Sequence, residues 1–371
     1  MDFLRRCLLL MLLLALAACS DDPYEEASQL YRQARHFDPS IAAEFADPLG
    51  RAITLLEGFL SRNPDDPRAT LLLWRCYSRT GNPRAPAMRA SMLAMPEAMC
   101  EVLPGEIRAE RDDYMRAQMV GLLGELNAMV DTEFLVELIE HDPAPGVQQA
   151  GIKVLAQLAD GAALPPLLRK LHDGEEIVRA VAARALTAFP REEVVEALLG
   201  RLADNREVPE VRAQAALSLA EIGGVNRGLW HQIMPQLRQM LTEPSKSLST
   251  RLLAGMVLAR RGNAEGRELA LQHANIEDPF TRGLAISTLG LTGEEQALPF
   301  IVAASRDDNW RLRLQAVEAL GQLKDPRGLP ALYKAKDDAN ELVREAARAA
   351  IERIKSSTAG GKATPSRSVR Q

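Results

Sequence analysis

Seven arginines recur along the chain, each directly after the first apolar residue of a repeated phrase and close to a turn rich in acidic residues. A guanidinium in this setting suits two kinds of chemistry. It can pair with carboxylates of neighbouring turns as a structural ladder, or it can bind an anion from outside the chain. Because an acidic turn lies near each arginine, the pattern favours the ladder. This arginine column consists of Arg116, Arg179, Arg212, Arg251, Arg282, Arg313 and Arg344, with Gln148 in the one remaining place.

The chain carries no recognisable catalytic motif. It contains no GxSxG nucleophile elbow, no GxGxxG sequence, no P-loop and no CxxC pair. Its histidines are scattered without the spacing of metal ligands, so the sequence predicts no catalytic residue, no metal and no cofactor. The histidines are His36, His141, His172, His231 and His273.

The repeat itself predicts which secondary structure carries these arginines. The phrase apolar-Arg-x-x-small-x-x-apolar-Leu occurs eight times in one register, at steps of 31 to 39 residues. A period of this length predicts stacked helical hairpins, an all-α solenoid. The eighth residue after each start is always Leu or Ile and is the expected core column: Leu123, Leu155, Leu186, Leu219, Leu258, Leu289, Leu320 and Ile351.

Each phrase is preceded by a turn, and each turn by another apolar segment. Pro145, Pro209 and Pro279 stand two residues before an apolar start, which suits the first position of a helix. The predicted unit is therefore helix A, acidic turn, helix B. Helix A is expected at 132–140, 162–171, 192–202, 229–241, 264–273, 295–304 and 327–336. The longest step contains a glycine-rich stretch, 223–228, which predicts an inserted surface loop.

Residues 106–355 resemble the HEAT-repeat family, especially its short bacterial form with Asp-x-x-x-x-Val-Arg-x-x-Ala-Ala. The resemblance implies second helices that line a concave face. One family of helical-repeat hydroxylases binds iron with repeated His-Glu pairs. This chain has only a single, reversed Glu140-His141, so the sequence argues against such a hydroxylase. Phycobilin lyases share the short HEAT form, and here an export signal and the lack of an active-site set argue against a lyase.

The N-terminus resembles a bacterial lipoprotein signal. Arg5 and Arg6 precede an apolar segment of twelve residues, too short to span a membrane well, which ends in Leu-Ala-Ala-Cys at Cys19. The resemblance implies cleavage before Cys19 and lipidation of its thiol. Several acyl chains would make the attachment durable. We therefore expect an exported protein, lipid-anchored at the periplasmic side of a membrane, with the outer membrane favoured.

Residues 24–80 resemble about one and a half tetratricopeptide repeats, with Asn63-Pro64 between two helical patterns. The alternative is a helical cap on the repeat array, since exposed solenoid ends need one. Whether Cys76 and Cys100 form a disulfide stays open, because export permits one but two straight helices would hold the cysteines apart. The expected domains are a signal peptide (1–18), a lipidated tether (19–23), the TPR-like helices (24–105), the solenoid (106–355) and a disordered tail (356–371).

Apolar residues in the variable columns of helix B are candidates for contact with a protein partner. If those columns face outward, they form a groove that suits a peptide. The alternative is that superhelical twist buries them between repeats. The candidates are Leu217, Leu252, Met256, Trp310 and Leu314.

The formal net charge of −5 argues against a nucleic-acid-binding protein. Together these features predict a non-catalytic scaffold or adaptor that holds a protein partner of the cell envelope near the membrane. The alternative is an enzyme or accessory factor of envelope assembly whose active site is not visible as a motif.

Overall fold

The computed structural model describes residues 22–34, 47–126, 130–293 and 295–360. Over these residues the protein is an all-α solenoid of α-helices and short 3-10 turns, and no strand occurs. The predicted signal peptide, the lipobox with Cys19, His36 and residues 361–371 lie outside the described residues. None of the described helices is long and apolar enough to cross a membrane.

The chain divides into two compact units, Met1–Leu158 and Ala159–Gln371. The first unit contains eight described helices. They are α1 (Pro23–Ala34), α2 (Pro48–Leu60), α3 (Pro67–Thr80), α4 (Ala85–Leu93), α5 (Pro96–Ala109), α6 (Asp113–Leu126), α7 (Thr132–His141) and α8 (Pro145–Leu158).

The second unit contains twelve described helices. They are α9 (Leu164–Lys170), α10 (Glu176–Ala185), α11 (Glu192–Ala203), α12 (Pro209–Val225), α13 (Arg227–Thr242), α14 (Leu248–Arg260), α15 (Arg267–Gln272), α16 (Pro279–Thr292), α17 (Leu298–Ala304), α18 (Trp310–Leu323), α19 (Leu329–Ala335) and α20 (Glu341–Gly360). Helices α12, α14, α16, α18 and α20 pack one on the next, and each also packs on the helix before it.

Helix starts follow the local sequence signals. Pro145, Pro209 and Pro279 open α8, α12 and α16, as predicted from their place before the apolar start. Asp278 caps α16, since its carboxylate accepts a 2.8 Å hydrogen bond from the backbone N–H of Thr281. A carboxylate of an acidic turn thus caps the helix that follows the turn.

The expected core column is confirmed, because every Leu or Ile in it is at most 3% exposed. The residue four positions after the start is small in every copy except the first, where it is Met119, and it allows close helix packing. At Gly290 on α16 the approach is closer still. A Cβ there would lie 2.6 Å from the Cα of Ala319 on α18.

The glycine-rich stretch at 223–228 does not form the inserted loop that the sequence predicted. Helix α12 continues through both glycines to Val225, and Asn226 then caps α13 by accepting a 3.1 Å bond from the N–H of Leu229. Gly223 is needed because Trp230 of α13 packs on it, 2.5 Å from where a Cβ would stand. The residues that make this repeat longer than the others therefore extend α12 and α13 and do not form a loop.

The ends of the described chain differ from expectation in one respect. Helix α20 runs to Gly360, so residues 356–360 are helical although the sequence placed them in a disordered tail. Helices α2 and α3 lie where the TPR-like pattern predicted helices, but the tetratricopeptide resemblance itself stays a prediction.

Cys76 and Cys100 are free thiols, so no disulfide joins them.

Candidate functional site

The arginine column forms a ladder of contacts between consecutive turns. Arg313 shows a complete rung, by which we mean an arginine bonded to its own turn and to the carboxylate of the next turn. Its Nε and Nη2 donate to the Asp338 carboxylate at 2.7 and 2.8 Å. Its Nη1 donates to the carbonyls of Asp307 and Asp308 at 2.9 and 3.0 Å. A planar guanidinium thus ties two turns together.

Other members of the column repeat this arrangement. Arg179 binds Glu207 with two bonds of 3.0 and 2.7 Å, and Arg116 binds Asp142 with bonds of 2.8 and 3.0 Å. Arg282 contacts Asp307 through Nη2 alone, and its buried Nε has no hydrogen-bond partner within the described part of the chain. Gln148 donates to the carbonyl of Asp142 at 2.8 Å, which reproduces the half of a rung made with an arginine's own turn. These arginines are committed to turns and do not form an open stripe.

The rungs shift the ionisation of their carboxylates. Hydrogen bonds from Arg313 hold the pKa of Asp338 below its usual value, although partial burial opposes the shift. The charged form of Asp338 is therefore favoured in the folded protein.

The predicted partner-binding residues do not form one exposed groove. Leu252 is fully buried and Met256 is 6% exposed, because α12, α13, α15 and α16 all pack around α14. The expectation of a surface role is wrong for these two, and the alternative of burial between repeats holds. Leu217, Trp310 and Leu314 are half-buried on other helices.

A different cluster of polar side chains is buried in the first unit, where α1, α3 and the end of α5 meet. The hydroxyl of Tyr31 donates to Oε2 of Glu110 at 3.1 Å, and Arg75 bonds to both Glu110 and Glu106, the latter at 2.9 Å. The guanidinium carbon of Arg75 lies 4.5 Å from the centre of the Tyr31 ring. We call Tyr31, Arg75, Glu106 and Glu110 the buried polar cluster.

The cluster is held rigidly by the backbone that follows α5. The side chain of Glu110 is fully buried, and its Oε1 accepts bonds from the N–H groups of Arg111 and Asp112 at 2.8 and 3.0 Å. The carbonyl of Glu110 accepts a 3.0 Å bond from Arg116, the first member of the arginine column. The cluster is therefore connected to the first rung.

An open crevice of about 470 Å³ lies beside the cluster. Its lining residues are Tyr24, Ser28, Tyr31, Arg32, Leu72, Arg75, Glu106, Ala109 and Arg111. Burial raises the pKa of the Tyr24 phenol to about 12 and also raises the pKa of Tyr31, although Arg75 opposes this effect at both. Both phenols are therefore neutral hydrogen-bonding groups.

Glu106 is the carboxylate that the crevice offers to a ligand. Its side chain is 30% exposed, whereas that of Glu110 is fully buried. Charged groups of both signs, two phenols and the Ser28 hydroxyl thus line one cavity, which can bind a polar ligand.

Sequence reasoning missed this cluster because the side chains that bond to one another are 31 to 79 residues apart and belong to no motif. One signal was present. Arg75 stands inside the apolar run from Leu71 to Tyr77, and a buried arginine requires a carboxylate partner. The partner's position could not be read from spacing alone.

Among the described residues, no group of three or more His, Cys, Asp or Glu is placed to hold a metal ion. The described histidines lie in separate places, with His172 bonded to Arg201 at 2.7 Å and His273 to the carbonyl of Leu269 at 2.8 Å.

Burial raises the pKa of the Cys76 thiol to about 12, so this cysteine is not a nucleophile at neutral pH.

Comparison with known families agrees with the repeat architecture. A family model described as HEAT repeats matches residues 164–229, 234–311 and 277–352. Fold and match together define the class of the molecule. The chain is a HEAT-repeat protein.

Two curated relatives are enzymes. Human deoxyhypusine hydroxylase is 28% identical over 219 residues, which cover 53% of this chain and 72% of the relative. The bovine deoxyhypusine hydroxylase is 29% identical over 220 residues with the same coverage. These relatives contradict the expectation of a non-catalytic scaffold or adaptor, and the expectation that the protein is not an enzyme.

Solved structures give weaker likenesses. Human deoxyhypusine hydroxylase in complex with glycerol shares 22% identity at a TM-score of 0.35, over 74% of this chain and 99% of that one. The phycocyanin lyase complex of CpcE and CpcF from Nostoc shares 16% at a TM-score of 0.38, over 70% and 94% of the two chains. Neither is close enough to carry an argument about function.

Proposed function

We propose that this protein is an enzyme related to the deoxyhypusine hydroxylases and that it acts on a deoxyhypusine-like group. The observation that carries the proposal is the identity of 28% over 72% of the human enzyme. Deoxyhypusine is the first substrate to test, because it is the group that both relatives are named for.

The described residues do not fit an iron centre of the kind built from repeated His-Glu pairs. The proposal therefore covers the enzyme class and the substrate group, and it includes no chemical step at a metal. What this chain offers is the crevice beside the buried polar cluster. We place the substrate group there, with Glu106 as the carboxylate that bonds to it.

The test is an assay of the purified protein with a protein that carries deoxyhypusine, in air and with a reductant as the electron source, run both with and without added ferrous iron. Mass spectrometry of the substrate protein is expected to show the gain of one oxygen atom. Glu106→Gln is expected to abolish the gain, because it removes the exposed carboxylate of the crevice.

Glu101→Gln is the matched control, since Glu101 lies exposed on the same helix, α5. Equal loss in both variants would contradict the assignment of the crevice. No gain of oxygen with folded wild-type protein would contradict the enzyme proposal itself.

We also propose that the protein is exported and lipid-anchored through Cys19. The support is the order of the N-terminal residues: Arg5-Arg6, an apolar segment of twelve residues, and Leu-Ala-Ala-Cys. Labelling of bacteria with an alkyne-bearing fatty acid is expected to tag the wild type and Cys7→Ser but not Cys19→Ala. Labelling of Cys19→Ala at the wild-type level would contradict the anchor.

A further inference from the structure

Arg212, Arg251 and Arg344 make no hydrogen bond to a carboxylate, and Arg212 is the one of the three that is buried. Arg212 lies on α12 and is 5% exposed, yet its Nη1 donates only to hydroxyls, those of Ser247 and Thr250 at 2.8 and 2.7 Å. The Nε of Arg212 is buried and has no hydrogen-bond partner within the described part of the chain. In the complete rung of Arg313, by contrast, the Nε donates to the Asp338 carboxylate of the next turn.

The carboxylates near Arg212 do not replace the missing group. Asp204, Glu207 and Glu210 are close enough to act on it electrostatically, but none is hydrogen-bonded to it. Glu207 is already bonded to Arg179 and Arg201. A buried cation without a hydrogen-bonded anion is costly, so the rung is incomplete as it stands.

The next turn offers hydroxyls where other turns offer acids. Its sequence runs Ser245-Lys246-Ser247-Leu248-Ser249-Thr250, whereas the turn that receives Arg313 contains Asp337 and Asp338. Ser247 is also the N-cap of α14, and its hydroxyl accepts a 3.2 Å bond from the N–H of Thr250. A helix of 13 residues therefore presents its positive end at the same point.

The other two arginines without a hydrogen-bonded carboxylate differ in their surroundings. Arg344 is half-buried, and its Nη1 donates to the carbonyls of Asp338 and Ala339 at 2.8 and 3.0 Å. Arg251 is half-buried, and its Nε donates to the carbonyl of Leu241 at 3.0 Å. Arg212 is thus the buried case, and its Nη1 is aimed at half-buried Ser247, which solvent reaches.

We propose that the rung formed by Arg212, Ser247 and Thr250 is a binding site for a small oxyanion, which supplies the carboxylate that the repeat sequence omits. The chemistry required is that of a carboxylate or a phosphate, since both offer charged oxygens to the unpartnered Nε of Arg212, close to the positive end of α14. The site belongs to the ladder and is separate from the crevice in the first unit.

The test is the melting temperature of the purified protein in millimolar acetate or inorganic phosphate, compared with chloride at equal ionic strength. The wild type is expected to melt higher in at least one of the two anions. Acetate alone would identify a carboxylate site, and phosphate alone a phosphate site.

Two variants make the result specific. Ser247→Asp places a carboxylate in the rung and is expected to remove the anion response. Asp338→Ser creates an equivalent vacancy beside Arg313 and is expected to add a second response. If Ser247→Asp does not fold, Arg212→Gln takes its place, because it removes the cation and with it the response.

Two results would overturn the proposal. One is a melting temperature that is the same in acetate, phosphate and chloride. The other is an equal rise in the wild type and in Ser247→Asp or Arg212→Gln, which would reflect general salting effects on the folded state.

Discussion

At the scale of single residues, burial decides what each side chain can do. We expected Leu252 and Met256 of α14 to face a partner. Both face other helices instead, because residues 252–259 are all buried. The stretch 252–259 of α14 is apolar on every side, and such a stretch belongs to a core. Periodicity could place Leu252 on a helix but could not count the neighbours around that helix.

Truncation of Leu252 tests this burial. We expect Leu252→Ala to lower the free energy of unfolding by about 2–5 kcal/mol, since it leaves a cavity in a fully packed site. Leu342→Ala is the control, because Leu342 is 52% exposed, and we expect a change within about 0.5 kcal/mol. Urea denaturation measures both, and equal effects would mean that α14 is not buried as described.

The buried polar cluster gives a second prediction at this scale. Arg75→Met leaves the fully buried carboxylate of Glu110 without its cation, and we expect a loss of about 3–5 kcal/mol in unfolding free energy. Arg75→Met combined with Glu110→Gln removes both charges, and we expect it to recover part of that loss. Denaturation of both variants measures the difference. A double variant no more stable than Arg75→Met would contradict a direct charge pairing.

At the scale of elements, the rungs join one hairpin to the next and make the ladder sensitive to acid. The pKa of Asp338 is lowered in the folded state, so its contribution to stability is present above the unfolded pKa of about 3.9. That contribution is lost as the pH falls through the lower folded value. The direction follows from Arg313, which favours the charged carboxylate.

Asp338→Asn tests the rung. At pH 7 we expect a loss of about 1.5–3 kcal/mol in unfolding free energy, because the variant removes a charge-assisted pair. The gap between wild type and variant should close as the pH falls below about 4. Denaturation at a series of pH values measures this gap, with Asp337→Asn as the control in the same turn, where Asp337 is exposed. If the difference in unfolding free energy between the wild type and Asp338→Asn stayed constant with pH, the ion pair between Arg313 and Asp338 would not stabilise the fold as described.

The elements also show where sequence reasoning succeeded. Helix starts at Pro145, Pro209 and Pro279 were predictable because proline fits the first helical position. The stretch at 223–228 was misread as a loop because glycine usually marks one. In the structure Gly223 instead makes room for Trp230, a tertiary contact that no local pattern encodes.

At the scale of the whole molecule, the solenoid was predictable because eight copies of one phrase hold their register, and repetition averages out local ambiguity. The candidate site was not predictable, since Tyr31, Arg75 and Glu110 all precede the first copy of the repeated phrase and come together only through the packing of α1, α3 and the end of α5. Function was misjudged for a related reason. The search for motifs found none, and a repeat fold hosts many activities.

We propose that the protein is an enzyme that acts on a deoxyhypusine-like group. The decisive test is the mass of a deoxyhypusine-bearing protein before and after incubation with the purified wild type. We predict the addition of one oxygen atom to that protein. An unchanged mass, with wild-type protein shown to be folded by its helical circular dichroism, would contradict the claim.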